Sequence, residues 1–287
     1  MRVLVLGASG MIGSAMLQTL CSSNDWEVIG SVRAPMAPAS LGGERTHWVC
    51  GVDLTSTDHM ARLFQEAKPD VVVNCAGLTK HLPGGNDPIP ALTLNALLPH
   101  RLAMLCGLAG ARLIHVSTDC VFSGKKGNYS ENEQPDALDV YGKTKHMGEV
   151  AGPGLVTLRT STIGHERGSR FGLLEWFLAQ QQCKGYRKAI FSGLPTLEFA
   201  RVVRDLVIPN TTLEGLYHVG AEAIDKDTLL RLIAKVYHKQ VEIETDDLVN
   251  IDRSLDSTRF TDATGYRAPA WPDLIEAMHQ GRPKENQ

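Results

Sequence analysis

The chain has few of the features that mark exported, membrane-embedded or metal-built proteins. Its six cysteines, Cys21, Cys50, Cys75, Cys106, Cys120 and Cys183, contain no C-x-x-C pair and are too sparse for a disulfide framework. That excludes a zinc ribbon and a stapled secreted domain, leaves no metal expected, and makes a reducing, cytoplasmic setting the economical expectation. No stretch approaches the ~18 apolar residues of a membrane helix, and "MRVLVLGASG" offers a run of only four, so neither export nor membrane insertion is expected. Charge of one sign is missing too: 29 basic against 32 acidic residues leave a net charge of -3, with no basic surface for nucleic acid. Aromatics make 6% of the chain and the four Trp are scattered, so no stacking platform is legible; Trp176 and Phe177 read as core. There is no internal repeat, and only the final "RPKENQ" reads as a loose tail.

What is present is a rhythm. Short apolar runs, "RVLVL", "WEVIG", "DVVVN", "ARLIHVS" and "LVTLR", alternate with amphipathic stretches over the first 160 residues. The pattern predicts a doubly wound α/β fold, a parallel Rossmann sheet with helices over 11–22, 56–68, 91–109 and 139–151. After residue 160 it loosens into Gly-, Arg- and Lys-rich segments, with a strand at "LYHVG" and a helix over 225–237. The expected organisation is a dinucleotide-binding domain of 1–160 plus about 201–224, and a smaller, discontinuous substrate-binding region of about 161–200 plus 225–287.

"GASGMIG" sets Gly7, Gly10 and Gly13 directly after the first strand. A strand-to-helix turn this tight needs Gly torsions, and a pyrophosphate needs close backbone approach at a helix N-terminus. The second strand ends in "GSVR", where an acidic residue would serve an unphosphorylated ribose; Ser31 and Arg33 stand there instead. A hydroxyl and a planar guanidinium suit a 2'-phosphate, which favours NADP(H) over NAD. Asp53 is placed either to accept from an adenine amino group or to cap the next helix.

"HVSTDC" follows the fifth strand, so Ser117, Thr118 and Asp119 fall at the carboxyl end of the sheet, and Tyr141-x-x-x-Lys145 follows on a helix, both side chains on one face. Reduction of a ketone by hydride leaves an oxygen that needs a proton. A Tyr with its free pKa of ~10 is a poor neutral-pH catalyst alone, but an adjacent ammonium favours phenolate. For Asn74 and Asn95 a structural role, satisfying backbone groups, competes with ligand contact.

Taken in order, "GASGMIG", "NCAG" at 74–77, Asn95, "STD" and "YGKTK" resemble the extended short-chain dehydrogenase/reductases over essentially the whole chain. "STDCVFSGKKGNYSENEQPDALDVYGKTKHMGE", "LRTS" and "SLDSTRF...TGY...AW" are similar to the dTDP-4-dehydrorhamnose reductases and related nucleotide-sugar 4-ketoreductases, including a branch that acts on UDP-N-acetyl-6-deoxyhexuloses. The resemblance implies catalysis by Thr118, Tyr141 and Lys145. It implies NADP(H) held by Gly7, Ser9, Gly10, Met11, Ile12, Gly13, Ser31, Arg33, Asp53, Leu54, Cys75, Ala76, Gly77, Asn95, Tyr141 and Lys145. It implies a nucleotide-sugar substrate met by Thr79, Thr118, Asp119 and Cys120, with Arg167 and Arg187 chosen for its phosphates from the cluster Arg159, Arg167, Arg170, Arg187 and Lys188. A homodimer through helices 91–109 and 139–151 is also implied.

Two departures from that pattern stand out. Cys120 replaces the usual Tyr, and "GSAMLQTL" lacks the carboxylate that some rhamnose reductases use for magnesium. Cys120 is either a small filler or, as in epimerising GDP-fucose synthases, an acid/base partner of a distant His, for which His165 is the one candidate. The competing functions are a dehydratase or epimerase that recycles its cofactor, and a non-catalytic NADP-binding regulator like the methionine adenosyltransferase regulatory subunit.

Overall fold

The computed structural model describes residues 1–38, 41, 46–80, 82, 84–166 and 170–282. Arg167 lies outside them. Six strands carry most of the central sheet: β1 (Arg2–Leu6), β2 (Glu27–Ser31), β3 (Thr46–Val49), β4 (Val71–Asn74), β5 (Arg112–Thr118) and β6 (Leu155–Thr160). With the edge strand Gly215–His218 they form a seven-stranded sheet in the order 215–218, β6, β5, β4, β1, β2, β3, every pair parallel. Strand order reverses between β1 and β4, and a doubly wound sheet opens its ligand crevice at that switch point.

Alternate strand residues feed two cores. Val3, Val5, Val71, Val73 and Val116 pack with helix α1 (Met11–Leu20) and the helix Thr196–Val202. Leu4, Leu6, Val72 and Leu113 pack with α2 (Thr57–Ala67) and with α4 (Leu98–Ala109). The third predicted helix is longer than its periodicity suggests. It starts at α3 (Pro88–Ala91), where the Asp87 side chain accepts from Ile89 N and Pro88 takes the first turn, and it passes through a π-turn at Leu92–Leu97 into α4. The joined helix Pro88–Ala109 is long and apolar enough by composition to cross a membrane, which no run in the sequence suggests; here Ala91, Ala96, Leu98, Leu102 and Cys106 are buried.

Helix α5 (Val140–Met147) carries Tyr141 and Lys145 and stops short of the predicted residue 151. Gly148 caps it, and the Val150 backbone turns to bond the Thr157 hydroxyl through both its N–H (3.2 Å) and its carbonyl (2.7 Å), starting the descent into β6. Beyond residue 160 the chain builds short strands that periodicity does not reveal: Thr162–Ile163 pairs Leu194–Pro195, Gln182–Tyr186 pairs Glu242–Asp246, and Ala189–Phe191 pairs both Ile224–Asp225 and Ile251–Asp252. Trp176, predicted as core, is 41% exposed, while its neighbour Phe177 is fully buried.

Candidate active site

The turn after β1 is as tight as its glycines suggest. Gly7 has φ +69°, and a Cβ there would sit 2.9 Å from Ala76 Cα in the turn after β4; a Cβ on Gly13 would run into the Gly7 carbonyl. Gly10 caps α1 without a side chain, and no acidic residue occupies the first turn. The N–H groups there therefore face open space with the positive end of the helix dipole behind them, a cradle that suits a pyrophosphate. Ser9 and Gly10 are exposed on this turn, and Met11 and Ile12 line the cleft beyond it.

Ser31 ends β2, buried, its carbonyl accepting from Ala8 N at 3.2 Å; Arg33 is exposed two residues on. Asp53 does not cap α2, which removes that alternative. Ser56 does, accepting from His59 N, while Asp53 Oδ1 accepts from Thr55 N (2.9 Å) and Thr55 Oγ1 (2.7 Å). Those bonds to Thr55 hold the Asp53 carboxyl below its ordinary value, with His59 and Arg33 adding to the effect. Leu54 packs, half-buried, on the core beneath.

Cys75, Ala76 and Gly77 run past the end of β4, fixed by two asparagines. Asn74 Oδ1 accepts from Ala76 N (3.1 Å), and its amide N meets His115 Nδ1 (3.1 Å). Asn95, expected at the cofactor, spends its amide on the chain: Oδ1 accepts from Leu78 N (2.8 Å), and Nδ2 donates to Leu78 O (2.9 Å) and Thr144 Oγ1 (3.2 Å). The π-turn brings it there, so that Asn95 splints the 76–78 loop to α5.

The reacting groups converge from β5 and α5. Thr118 Oγ1 accepts from Cys120 N (3.1 Å) and donates to Asp119 Oδ1 (3.2 Å), and it lines the cleft together with Tyr141. α5 comes this close because its first turn contains Gly142, where a Cβ would overlap the Cys120 carbonyl. Lys145, 5% exposed, donates from Nζ to Val116 O at 2.7 Å. Burial, then the charges of Cys120 and Asp119, push the phenol upward in pKa; burial brings Lys145 down to about 8, against the pull of Glu149 and Cys75. Lys145 thus does not by itself lower the phenol, contrary to the simple expectation for the pair.

Thr118 and Tyr141 border a cleft of ≈ 280 Å³, which also takes in Thr79, Asp119 and Cys120; Lys145 lies buried behind them. Its far wall, Thr160, Ser161, Thr162, Glu166 and Phe171, together with Lys80, escaped the sequence reading. Lys226 escaped it as well: it opens the helix Lys226–Val236 with Nζ 4.4 Å over the Phe191 ring, and burial lowers it to about 8 while Asp119 and Cys120 pull it up. The Asp225 cap was a legible signal for that helix start, though not for where the ammonium points.

Arg187 is exposed and paired with Asp247, with Nε to Oδ1 at 2.9 Å and Nη2 to Oδ2 at 2.6 Å, and it is not among the residues that line the cleft. Cys120 lines the cleft, but burial and then Asp119 push its thiol up to about 12, and His165 is held by Glu175 (3.0 Å) and Tyr237 (2.9 Å) rather than facing it. Among the described residues no cluster of three His, Cys, Asp or Glu side chains is disposed to hold a metal.

The sequence profile of the RmlD substrate binding domain matches residues 1–259. The chain belongs to this family. Within reach of it, the probable low-salt glycan biosynthesis reductase Agl14 of Haloferax volcanii is 32% identical over 241 residues, covering 78% of this chain and 75% of the relative. The dTDP-4-dehydrorhamnose reductase of Burkholderia thailandensis is 30% identical over 243 residues, 83% of this chain and 72% of the relative. The solved dTDP-4-dehydrorhamnose reductase of Bacillus anthracis, in complex with NADP, superimposes with a TM-score of 0.78 at 19% identity over 97% of this chain and 98% of that one, which places the RmlD-family member in the same fold.

Proposed function

We propose that the protein is an NADPH-dependent reductase of the 4-keto group of a nucleotide-linked 4-keto-6-deoxysugar. The substrate is dTDP- or UDP-linked, of the L-rhamnose type or an N-acetylated 6-deoxy-L-hexosamine, and serves surface polysaccharide synthesis. The observation that carries the reading is that Thr118 and Tyr141 line one cleft with Met11 and Ile12 of the helix that follows the glycine turn, a helix whose N-terminus no side chain caps. The Gly7–Gly13 cradle, which a Cβ would fill, fits a dinucleotide pyrophosphate, and Ser31 with the exposed Arg33 suits the 2'-phosphate.

Bound NADPH supplies the hydride. Thr118 turns its hydroxyl from Asp119 to the sugar ketone and fixes that oxygen. Tyr141, kept protonated by its burial, gives its proton to the same oxygen as charge develops there. Lys145, an ammonium below about pH 8, would hold the nicotinamide ribose. The Rossmann sheet with its edge strand takes the cofactor, and the short strands beyond residue 160 take the nucleotide sugar. Against the epimerising alternative, burial pushes the Cys120 thiol up to about 12, and His165 is spent on Glu175 and Tyr237.

The test is to incubate the protein with NADPH and with dTDP- and UDP-4-keto-6-deoxyhexoses while following absorbance and product. Net NADPH oxidation with a reduced sugar is expected, NADH serving at least about tenfold less well; no oxidation with any 4-keto sugar would sink the proposal. The same reading includes a homodimer. Met104 (71% exposed), Leu108 (86%) and Leu97 (49%) of the 88–109 helix form an apolar strip that a second copy would cover. Met104→Glu with Leu108→Glu should convert a sedimenting dimer to monomer, and a wild-type chain that sediments as a monomer removes this part.

A further inference from the structure

The cleft holds few charged side chains, and their bonding sets one apart. Asp119 is buried and accepts from Thr118 Oγ1 at 3.2 Å. Glu166, on the far wall, spends Oε2 on two successive backbone groups, Phe171 N (2.8 Å) and Gly172 N (2.9 Å). Lys80 is the one cation among the described residues that line the cleft, and it pairs with no carboxylate among them. Arg253 and Lys226, the other cations near Cys120, do not line the cleft and are engaged elsewhere: Arg253 Nε donates to Phe122 O at 2.8 Å, and Lys226 Nζ stands 4.4 Å over the Phe191 ring.

A lysine on a loop is ordinarily a solvated side chain, but the backbone around Lys80 is held on both sides. Before it, the Asn95 amide bonds both the N–H and the carbonyl of Leu78. After it, Leu82 N donates to Thr79 O (3.1 Å), Gly85 N to Leu82 O (2.9 Å) and Asp87 N to Gly84 O (2.9 Å), so successive turns bring Gly85 back over residue 80. A Cβ at Gly85 would lie 2.9 Å from Lys80 Cα and overlap the Thr79 carbonyl; the turns close this tightly because that position is glycine. Lys80, half-buried, thus lines the cleft from a fixed backbone. A cation in a cleft is screened less than one on open surface, so it favours an anionic ligand over a neutral one.

Three anionic groups meet the protein under the reductase reading, on which this inference rests. The cofactor pyrophosphate has the uncapped N-terminus of α1, and the 2'-phosphate has Ser31 and Arg33. The third is the diphosphate of the substrate, and Arg187 is paired with Asp247 outside the cleft. We propose that Lys80 binds this diphosphate: with the sugar ketone at Thr118 and Tyr141, the nucleoside diphosphate lies against the 79–80 segment of the same cleft.

The experiment titrates UDP, dTDP and NADPH separately into the full chain and into Lys80→Met and Lys80→Arg, by calorimetry at low and high salt. Lys80→Met should weaken whichever diphosphate the wild type binds by about ten- to a hundredfold, the range for a hydrogen bond to a charged group, and should flatten the fall of that affinity with salt. Lys80→Arg keeps the charge and should recover all but about threefold of the loss, while NADPH affinity stays within about threefold in both variants and reports that they are folded. Diphosphate affinity unchanged in Lys80→Met, an equal loss for NADPH, or a wild-type chain that binds neither UDP nor dTDP would each overturn the assignment. Binding needs no turnover, so the two readings fail separately. Lys80-dependent diphosphate binding with no 4-keto sugar reduced sinks the reductase reading alone; reduction with a KM that Lys80→Met leaves unchanged sinks the role of Lys80 alone.

Discussion

Tyr141→Phe should cut turnover by roughly a thousandfold while NADPH affinity stays within about threefold, because a positioned general acid contributes on the order of 10²–10⁴ and the ring itself is retained. The phenol's surroundings make the loss specific. Burial with Cys120 and Asp119 nearby keeps it protonated, where it lines the cleft beside Thr118. Losing one hydroxyl costs the fold about 1 kcal/mol, too little to unfold it. The check is single-turnover NADPH oxidation against fluorescence titration of NADPH; turnover within about tenfold of wild type would take the proton-donor role from Tyr141.

Gly142→Ala carries the second large effect, and its sign opposes helix propensity. In a free helix the change would stabilise by about 1 kcal/mol. Here the new Cβ would overlap the Cys120 carbonyl and lie 2.5 Å from Ala137 Cβ, and Cys120 sits in a tight 3-10 turn directly after β5, its N–H bonded to Thr118 Oγ1, where backbone has little room to step aside. Helix α5 must move instead, taking Tyr141 away from Thr118. An overpacked contact costs about 1–3 kcal/mol, and displacement of a catalytic group by roughly 1 Å costs on the order of a hundredfold in rate. A lowered melting temperature together with a hundredfold lower kcat is expected; a variant as stable and active as wild type would show that the close approach is dispensable.

The parts of the site that were legible in the sequence are those whose chemistry is local. Gly7 and Gly13 are demanded by a turn that passes within contact of Ala76, and Tyr141 with Lys145 needs only the pitch of one helix. What could not be read depends on distant pairings. The pairing of Arg187 with Asp247, sixty residues on, has no local signal. Nor has the π-turn that brings the Asn95 amide to Leu78 and Thr144. Ser161, Thr162 and Glu166 belong to a wall built from strands as short as Thr162–Ile163, too brief for any period to register. Helix ends were off for physical reasons as well, as where Thr157 draws Val150 out of α5.

The π-turn at Leu92–Leu97 bears on what lengths this chain can have. A wider turn holds a surplus residue within an otherwise α-helical run, and each residue of an α-helix advances the side chains by about 100°. Removing one residue there would close the wide turn to an ordinary α-turn and keep Leu98, Leu102 and Cys106 on the sheet, yet it would turn the Asn95 amide from Leu78 and Thr144 and free the 76–78 loop from α5. Substitutions along that segment are tolerable wherever a side chain faces water; a single-residue deletion is not.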